Sequence, residues 1–282
     1  MTSVDPVTQH LIALALSEDL PGVDVTATAT VSPDATATAA FVMRAPGVIA
    51  GLGTVGAVVS AVDDTLRFTA LSADGDRREP GTTVATVTGA ARSILAAERT
   101  ALNLLTHLSG IATQTARFVD AVAGTACAIR DTRKTLPGMR ALQKAAVAAG
   151  GGTNHRFSLS DGLLVKDNHV AVAGGITSAA RRALTAAGGL PVQIEVDDLT
   201  QLDEALTAGA RSVLLDNFTL DDVRAAVQRC RAGDEHVFVE ASGNVNLETV
   251  RAIAQTGVDA VAVGALTHSV RALDIALDWE EE

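Results

Sequence analysis

Residues 192–216 read VQIEVDDLTQLDEALTAGARSVLLD, and the fold of the larger part of the chain can be inferred from this stretch. It starts with a β-branched segment that ends at the polar Glu195, and it closes with a second such segment that ends at Asp216. Between the two segments, residues 200–208 have helical spacing, and Gly209 follows as a typical helix end. A strand, a helix and a second strand in this order form the unit of a parallel α/β fold.

The same pattern repeats from residue 125 onward. β-Branched runs that end in a polar residue or glycine occur at Ala126–Ile129, Leu163–Val165, Val192–Ile194, Val213–Leu215, Val237–Val239 and Ala260–Val263. Helical spacing occurs between them, at residues 177–187, 200–208, 220–229 and 246–255. The last four strand ends fall at residues 195, 216, 240 and 264, and these intervals of 21 to 24 residues are typical of consecutive βα units.

Parallel strands wound in this way form either a barrel or a doubly wound sheet. A complete eight-stranded barrel takes about 250 residues, and the repeating region is shorter, so we predict an incomplete α/β barrel of six or seven strands over residues 110–269. Residues 1–109 predict a smaller α+β domain, with strand-like stretches at 37–44, 65–71 and 83–88 and a helical stretch at 91–108. We expect the tail, residues 270–282, to pack on that smaller domain.

The segment GLGTVG at residues 51–56 matches the dinucleotide-binding pattern G-x-G-x-x-G. A nucleotide site would need an acidic residue at the end of a second parallel strand. Asp74 lies at about the right distance along the chain, but it falls in a polar turn at residues 73–78. We therefore interpret the glycines as a tight structural turn.

The composition excludes several classes of protein. A net charge of −11 and an aromatic content of 2% argue against a nucleic-acid-binding protein. The two cysteines, Cys127 and Cys230, cannot form a disulfide framework, which favours a reducing compartment. No apolar run approaches the roughly 18 residues of a membrane helix, and the first residues, MTSVDPVTQH, do not resemble an export signal. We expect a cytoplasmic protein without nucleic-acid or membrane partners.

Residues 130–169 reverse the acidic charge of the rest of the chain. They contain seven cations and three acids, a local charge of +4, and they include all three lysines, Lys134, Lys144 and Lys166. Lysine ammonium groups bind polyphosphate oxygens as point charges. The segment therefore suggests a site for a ligand with several negative charges, with a solvated basic face as the alternative.

Three motifs in this segment carry candidate binding groups. Asp131-Thr-Arg-Lys-Thr135 lies at a strand-to-helix turn, where cations beside a helix N-terminus favour an anion, although a structural cap would have the same residues. Asn154-His-Arg156 follows three glycines, and Lys166 ends a predicted buried strand. A structural histidine and an exposed lysine are the alternatives.

Acidic and glycine-rich strand ends complete the candidate site. Neighbouring parallel strands lie about 4.8 Å apart, so Glu195 and Asp216 can converge on one ligand. They would coordinate Mg²⁺, accept hydrogen bonds from ribose or stabilise a developing cation, unless they form rim salt bridges to Arg133 or Lys166. The turns Ser242-Gly-Asn244 and Gly264-Ala265 lie where parallel barrels commonly bind a terminal phosphate.

Several long motifs resemble the quinolinate phosphoribosyltransferase family. They are DTRKTLPGMRALQK at residues 131–144, GGGTNHR at 150–156, LVKDNH at 164–169, AERTALN at 97–103, HLSGIA at 107–112, LLDN at 214–217, EASGN at 240–244 and VGALTHS at 263–269. The resemblance covers essentially the whole chain, and Ser158 departs from it because the family pattern has glycine there. It implies a sandwich-like N-terminal α+β domain, an incomplete α/β barrel and at least a homodimer.

The resemblance also implies an activity and the residues that carry it. The family joins quinolinate to phosphoribosyl pyrophosphate with loss of CO2, which gives nicotinate mononucleotide for NAD synthesis, and it uses Mg²⁺. Arg133, His155 and Arg156 are expected to surround the two quinolinate carboxylates. Thr132 is expected to bind substrate, and Arg99 is expected to reach the active site of the partner subunit. The residues expected to act on the anionic substrates, ribose and Mg²⁺ are Lys134, Lys166, Glu195 and Asp216. Those expected at the 5-phosphate are Ser242, Gly243, Asn244, Val263, Gly264 and Ala265.

Three other functions stay open on the residues alone. They are a related phosphoribosyltransferase with another substrate, a Schiff-base aldolase that uses Lys166, and a non-catalytic anion-binding module. The paired acids and the phosphate-binding turns favour the transferase. The choice between a dimer and a hexamer, the number of metal ions and the lysine that protonates the product ring also stay open.

Overall fold

The computed structural model describes residues 4–279, so residues 280–282 of the predicted tail lie outside the described residues. Its helices are α1 (Pro6–Asp19), α2 (Val25–Thr30), α3 (Leu52–Val62), α4 (Ala91–Ala121), α5 (Arg140–Ala149), α6 (Asp167–Ala173), α7 (Ile176–Ala186), α8 (Leu199–Thr207), α9 (Leu220–Arg231), α10 (Val250–Ala254) and α11 (Ala265–His268). Its strands are β1 (Thr36–Met43), β2 (Gly47–Val48), β3 (Arg67–Ala70), β4 (Arg77–Arg78), β5 (Thr83–Ala90), β6 (Ala128–Arg130), β7 (Leu163–Val165), β8 (Val192–Val196), β9 (Ser212–Asp216), β10 (Phe238–Ser242), β11 (Ala260–Ala262) and β12 (Ile275–Trp279).

The chain divides into two units, and each has a sheet of its own. Among the described residues, the first unit comprises residues 4–116, 135–151 and 266–279, and the second comprises residues 117–134 and 152–265. The larger sheet of the first unit is antiparallel, with the strand order β12-β1-β5-β3, and β2 and β4 form a separate two-stranded antiparallel sheet. The C-terminal strand β12 pairs along β1, with Leu277 opposite Phe41. Phe41 is buried in the core of this unit together with Ile94 and Leu105.

The glycine-rich segment of the first unit opens helix α3. Gly51 precedes the helix in a left-handed conformation with φ 98°. Its backbone N–H donates to Asp74 Oδ2 at 2.9 Å, and the N–H of Leu52 donates to Asp74 Oδ1 at 3.1 Å. A carboxylate of the chain itself therefore occupies the helix N-terminus, where a dinucleotide phosphate would otherwise bind.

Helix α4 continues beyond the predicted stretch of residues 91–108 and ends only at Ala121. Gly110, where we place the domain boundary, does not interrupt it. The backbone of Arg271 passes so close to Gly110 that a Cβ there would lie 2.3 Å from the Arg271 carbonyl oxygen. The glycine is therefore required for close backbone packing within the first unit. Within residues 4–279, no helix combines the length and the apolar character that a membrane span requires.

The second unit confirms the predicted incomplete α/β barrel. Its six strands are parallel and follow the order β6-β11-β10-β9-β8-β7. Among the described residues, no ladder joins the two edge strands β6 and β7, and Arg130 forms an isolated bridge to Thr153 instead. Arg133 after β6 and Lys166 after β7 nevertheless line one cavity, so the sheet is curved and its edge strands approach each other. Every second side chain of each strand points into the interior.

The strand register brings polar residues into this interior. Glu195 of β8 lies opposite Leu214 of β9, which lies opposite Glu240 of β10. Because side chains alternate along a strand, Gln193 lies on the same face as Glu195, and Asp216 lies on the same face as Leu214. The inner face of the sheet is thus unusually polar toward the carboxyl ends of its strands, which is where parallel α/β folds carry their active sites.

Candidate active site

A cavity of about 360 Å³ opens at the carboxyl ends of the strands of the second unit. It is lined by Thr132, Arg133, Lys134, His155, Arg156, Leu164, Lys166, Glu195, Leu214, Asp216, Ser242 and Ala262. Nine of these residues are among those that the sequence predicts for the site. Residues from the turn after β6, the loop before β7 and the ends of the five strands β7 to β11 therefore meet in one place.

The remaining predicted residues do not line this cavity. Gly243 and Asn244 follow the lining residue Ser242, and Val263, Gly264 and Ala265 follow the lining residue Ala262. Arg99 belongs to the first unit, where it is exposed on helix α4 and has no hydrogen bond or ion pair among the described residues. The predicted roles of these six residues stay predictions.

Two arginines of the cavity have buried donor groups without a partner. The Nε atoms of Arg133 and Arg156 are both buried, and neither has a hydrogen-bond partner among the described residues. Arg156 is held by its Nη1, which donates to the carbonyl oxygen of Gly162 at 2.9 Å. Burial lowers the pKa of the Arg156 guanidinium, and the positive charge of Arg133 lowers that pKa further. Two like charges with unused donors are suited to a ligand that brings two negative groups.

Lys166 and Glu195 form an ion pair at the wall of the cavity. The Nζ of Lys166 donates to Glu195 Oε2 at 2.5 Å, with 43% of the lysine side chain exposed but only 8% of the glutamate. Burial raises the pKa of Glu195, and the hydrogen bond and charge of Lys166 oppose that rise. The rim salt bridge that the sequence left open is therefore present for Glu195. Asp216 instead accepts a hydrogen bond from the side chain of Asn217, with 2.9 Å between Nδ2 and Oδ2.

Asp131 holds the two arginine-bearing segments together. It is fully buried, and its Oδ1 accepts from the backbone N–H of His155 at 2.8 Å. Its Oδ2 accepts from the side-chain amide of Asn154 at 2.6 Å. Because Arg133 and Arg156 lie one or two residues from these anchor points, the contacts limit how far the two guanidinium groups can separate.

The imidazole of His155 is hydrogen-bonded through both ring nitrogens within the protein. Its Nδ1 lies 2.7 Å from the backbone nitrogen of Arg156, and its Nε2 lies 2.9 Å from Gln193 Oε1. Gln193 Nε2 in turn donates to Glu240 Oε2 at 3.0 Å, and Arg130 Nη1 donates to the same oxygen at 2.7 Å. A buried polar chain thus continues from the cavity into the interior of the sheet.

A glycine turn joins the ends of β9 and β10. Gly243 has φ 96°, and a Cβ there would lie 2.1 Å from Asn217 Oδ1. The backbone N–H of Asn217 donates to the carbonyl oxygen of Ser242 at 2.9 Å, and Asn244 Nδ2 donates to Asn217 Oδ1 at 3.2 Å. Only glycine fits between these loops, which keeps Asp216 and Ser242 beside each other at the cavity.

The carboxylates of the cavity fit a metal ion that arrives with a substrate. Glu195 and Asp216 are the two acidic residues of the lining, and across residues 4–279 no cluster of three or more His, Cys, Asp or Glu side chains is placed to hold a metal. Mg²⁺ commonly binds through one or two carboxylates together with substrate phosphates. The pair therefore suits Mg²⁺ bound with a phosphorylated ligand and not an ion held by the protein alone.

Several residues that build the site were not predicted from the sequence. Leu164, Leu214 and Ala262 contribute to the lining, and Gln193 and Glu240 lie behind it. The period-two alternation of a strand would have placed Gln193 on the same face as Glu195, two residues later. For Glu240 the signal was its position at a predicted strand end.

Comparison with known proteins identifies the family. Residues 24–109 match the N-terminal domain of quinolinate phosphoribosyl transferase, and residues 111–278 match its C-terminal domain. A nicotinate-nucleotide pyrophosphorylase [carboxylating] of Mycobacterium leprae is 51% identical over 270 residues, which are 95% of each chain. A probable enzyme of the same name from Bacillus subtilis is 41% identical and covers 85% of this chain and 82% of its own length.

Solved structures agree with the sequence comparisons. The nicotinate-nucleotide pyrophosphorylase of Francisella tularensis superposes with a TM-score of 0.93 at 36% identity, covering 99% of this chain and 98% of its own. Because both domains match the family and the relatives exceed 30% identity over nearly the whole chain, this protein belongs to the quinolinate phosphoribosyltransferase family.

Proposed function

We propose that the protein transfers the phosphoribosyl group of phosphoribosyl pyrophosphate to quinolinate with release of CO2, giving nicotinate mononucleotide for NAD synthesis. The observation that carries the proposal is the pair of buried, unpartnered Nε atoms of Arg133 and Arg156 in a cavity that also contains Lys134, Lys166 and Glu195. The names of the relatives support the same reaction.

The diacid would bind at the arginines. Quinolinate carries two adjacent carboxylates, and a planar guanidinium can donate two parallel hydrogen bonds to each. Binding would supply partners for both Nε atoms and would offset the repulsion between the two positive charges. A monoacid such as nicotinate would leave one guanidinium buried without a partner, so the site should discriminate against it.

The phosphorylated substrate would bind on the other side of the cavity. Lys134 and Lys166 would face its phosphate oxygens, and Glu195 and Asp216 would accept hydrogen bonds from the ribose hydroxyls. The turns that begin at Ser242 and after Ala262 would hold the 5-phosphate through backbone N–H groups. When bound, Mg²⁺ would neutralise charge on the pyrophosphate, and Glu195 and Asp216 are the residues that would hold it.

Transfer and decarboxylation would then use charges that are already in place. Pyrophosphate leaves ribose C1 with the bonding electron pair, and the carboxylates of Glu195 and Asp216 stabilise the positive charge that develops there. The pyridine nitrogen forms the new bond to C1 and becomes cationic. The adjacent carboxylate leaves as CO2, its electron pair stays on the ring carbon, and that carbon takes up a proton from Lys134 or Lys166.

We also propose that the enzyme works in the cytoplasm and at least as a homodimer. Both cysteines are unpaired and buried, which suits a reducing compartment. Burial raises the pKa of the Cys127 thiol to about 12 and that of Cys230 to about 11, so neither thiol is poised to react. Arg99 is an exposed arginine without a partner among the described residues, and we propose that it reaches the active site of the second subunit.

One assay tests the proposed reaction. Release of labelled CO2 from quinolinate should require both phosphoribosyl pyrophosphate and Mg²⁺, and it should stop when EDTA is added. Nicotinate and nicotinamide should not consume phosphoribosyl pyrophosphate. Consumption of either one at a rate similar to quinolinate, or no CO2 release with all components present, would refute the proposal.

A further inference from the structure

We infer that Gln193 and Glu240 are positioning residues, which fix the tautomer of His155 and thereby hold Arg156 in place for a substrate carboxylate. The inference rests on the proposed function, because it assigns the way in which one of the two diacid-binding arginines is held. It also gives His155 a supporting role in place of a direct hydrogen bond to quinolinate.

The direction of the hydrogen bonds is set by Glu240. Its side chain is fully buried, and its Oε2 accepts from Arg130 at 2.7 Å, so it serves as an acceptor paired with a guanidinium. Because this oxygen accepts, the Gln193 group beside it must be the donor NH2, and Gln193 Nε2 lies 3.0 Å from Glu240 Oε2. The amide orientation of Gln193 is therefore determined, and its carbonyl oxygen must point the other way.

The orientation of Gln193 then determines the proton position on His155. The carbonyl Oε1 of Gln193 lies 2.9 Å from His155 Nε2, and because this oxygen can only accept, Nε2 must carry the proton. The other ring nitrogen, Nδ1, is left as an acceptor. It lies 2.7 Å from the backbone nitrogen of Arg156, which donates to it. A proton on Nδ1 would place two donors, the Nδ1–H of His155 and the backbone N–H of Arg156, in contact without an acceptor between them.

These hydrogen bonds restrict the position of Arg156 before any ligand binds. Asp131 holds the backbone N–H of His155, the His155 ring holds the backbone N–H of Arg156, and Gly162 holds the guanidinium by one Nη. These three contacts leave the Nε edge of Arg156 unpartnered. Side chains that are fixed before binding give more affinity per contact, because less freedom is lost when the ligand arrives.

The tautomer of His155 can be measured without any substrate. Long-range 1H–15N spectra of the full-length protein labelled on histidine distinguish a protonated Nε2 from a protonated Nδ1, and a His155→Gln sample identifies the signal. A proton resident on Nε2 is the expected result. A proton resident on Nδ1, or exchange between the two nitrogens, would overturn the inference. The result is independent of whether quinolinate is the substrate.

Kinetics of Gln193→Leu test the consequence for binding. The change removes both amide hydrogen bonds at similar side-chain volume, so the Nε2–H of His155 loses its acceptor and its proton should exchange with solvent faster, while Nδ1 still accepts from the backbone N–H of Arg156. The KM for quinolinate should rise about tenfold, which corresponds to loss of one buried hydrogen bond, while the KM for phosphoribosyl pyrophosphate should change less than about twofold. Equal changes in both constants, or an unchanged constant for quinolinate, would contradict the inference.

Ser212→Ala provides the matched control. Ser212 begins the neighbouring strand β9 and lines the same end of the interior as Gln193, but it forms no side-chain hydrogen bond among the described residues. Both Michaelis constants and the His155 signal should stay as in the unmodified enzyme. If the unmodified enzyme does not use quinolinate, the proposed function fails, and the tautomer measurement still decides the inference.

Discussion

Replacing Arg133 with methionine is expected to weaken quinolinate binding without destabilising the protein. Most buried polar side chains are hydrogen-bonded, so their removal usually lowers stability. Arg133 is different, because its Nε is buried without a partner and its charge faces that of Arg156. Methionine has a similar length and no charge, so the substitution removes a repulsion in the free enzyme and an attraction in the complex.

The magnitudes follow from the contacts. A hydrogen bond to a charged group contributes about 1.5–3 kcal/mol, so the dissociation constant for quinolinate should rise roughly 10- to 150-fold. Relief of the repulsion between Arg133 and Arg156 should add roughly 0–1 kcal/mol to the free energy of unfolding, because both groups are partly open to solvent. The Tm should therefore stay constant or rise by about 2–4 °C.

Calorimetric titration with each substrate and thermal unfolding of the free enzyme measure these effects. Binding of phosphoribosyl pyrophosphate should change much less than binding of quinolinate. Arg181→Met is the matched control, since Arg181 is an exposed arginine of helix α7 in the same unit. A fall in Tm of several degrees, or an equal loss of affinity for both substrates, would refute the assignment of Arg133 to the diacid.

Three further outcomes are expected. Lys166→Met removes the cation that lowers the pKa of Glu195 against the effect of burial, so that pKa should rise. The acidic limb of the normalised pH–kcat profile should therefore move to higher pH. A move to lower pH would contradict the stabilisation of the Glu195 carboxylate by Lys166. Asp74→Ala removes the cap of α3 and should lower the free energy of unfolding in urea by about 1–2 kcal/mol while kcat stays constant; unchanged stability would show that the cap is replaced by water. Gly110→Ala would stabilise an ordinary helix, but the 2.3 Å approach to the carbonyl oxygen of Arg271 should make it destabilising by about 1–3 kcal/mol, and a gain in stability would rule out that close packing.

The strands of the parallel sheet are predictable because their signals are local. Each of the six β-branched runs from residue 125 onward overlaps one of the strands β6 to β11. A polar residue after such a run falls at the carboxyl end of a parallel strand, where the curvature of the sheet brings neighbouring ends together. For this reason Lys166, Glu195 and Asp216 meet in one cavity although they are far apart in sequence.

Two kinds of feature are not predictable in the same way: contacts between residues far apart in sequence, and helix ends where a side chain hydrogen-bonds the backbone in place of the helical bonds. We expect the tail to pack on the smaller domain, but no local pattern specifies that β12 pairs with β1. Helix α10 is shorter than the predicted stretch of residues 246–255, because the Asn246 side chain accepts from the backbone N–H groups of Glu248 and Thr249 and forms a turn there. The roles of Gln193 and Glu240 require the inter-strand register, which residue spacing alone does not give.

The ion pair between Arg130 and Glu240 limits how the interior of the sheet can evolve. Loss of one partner leaves a charge in the interior without compensation, at a cost of about 3–5 kcal/mol, which is a large part of the stability of a typical protein. Joint replacement by apolar side chains of matching volume costs less stability, but it also removes the acceptor of the Gln193 amide. Lineages that descend from this enzyme are therefore expected to keep the two residues together or to exchange them together, and a lineage that carries only one of them should have acquired a compensating neighbour.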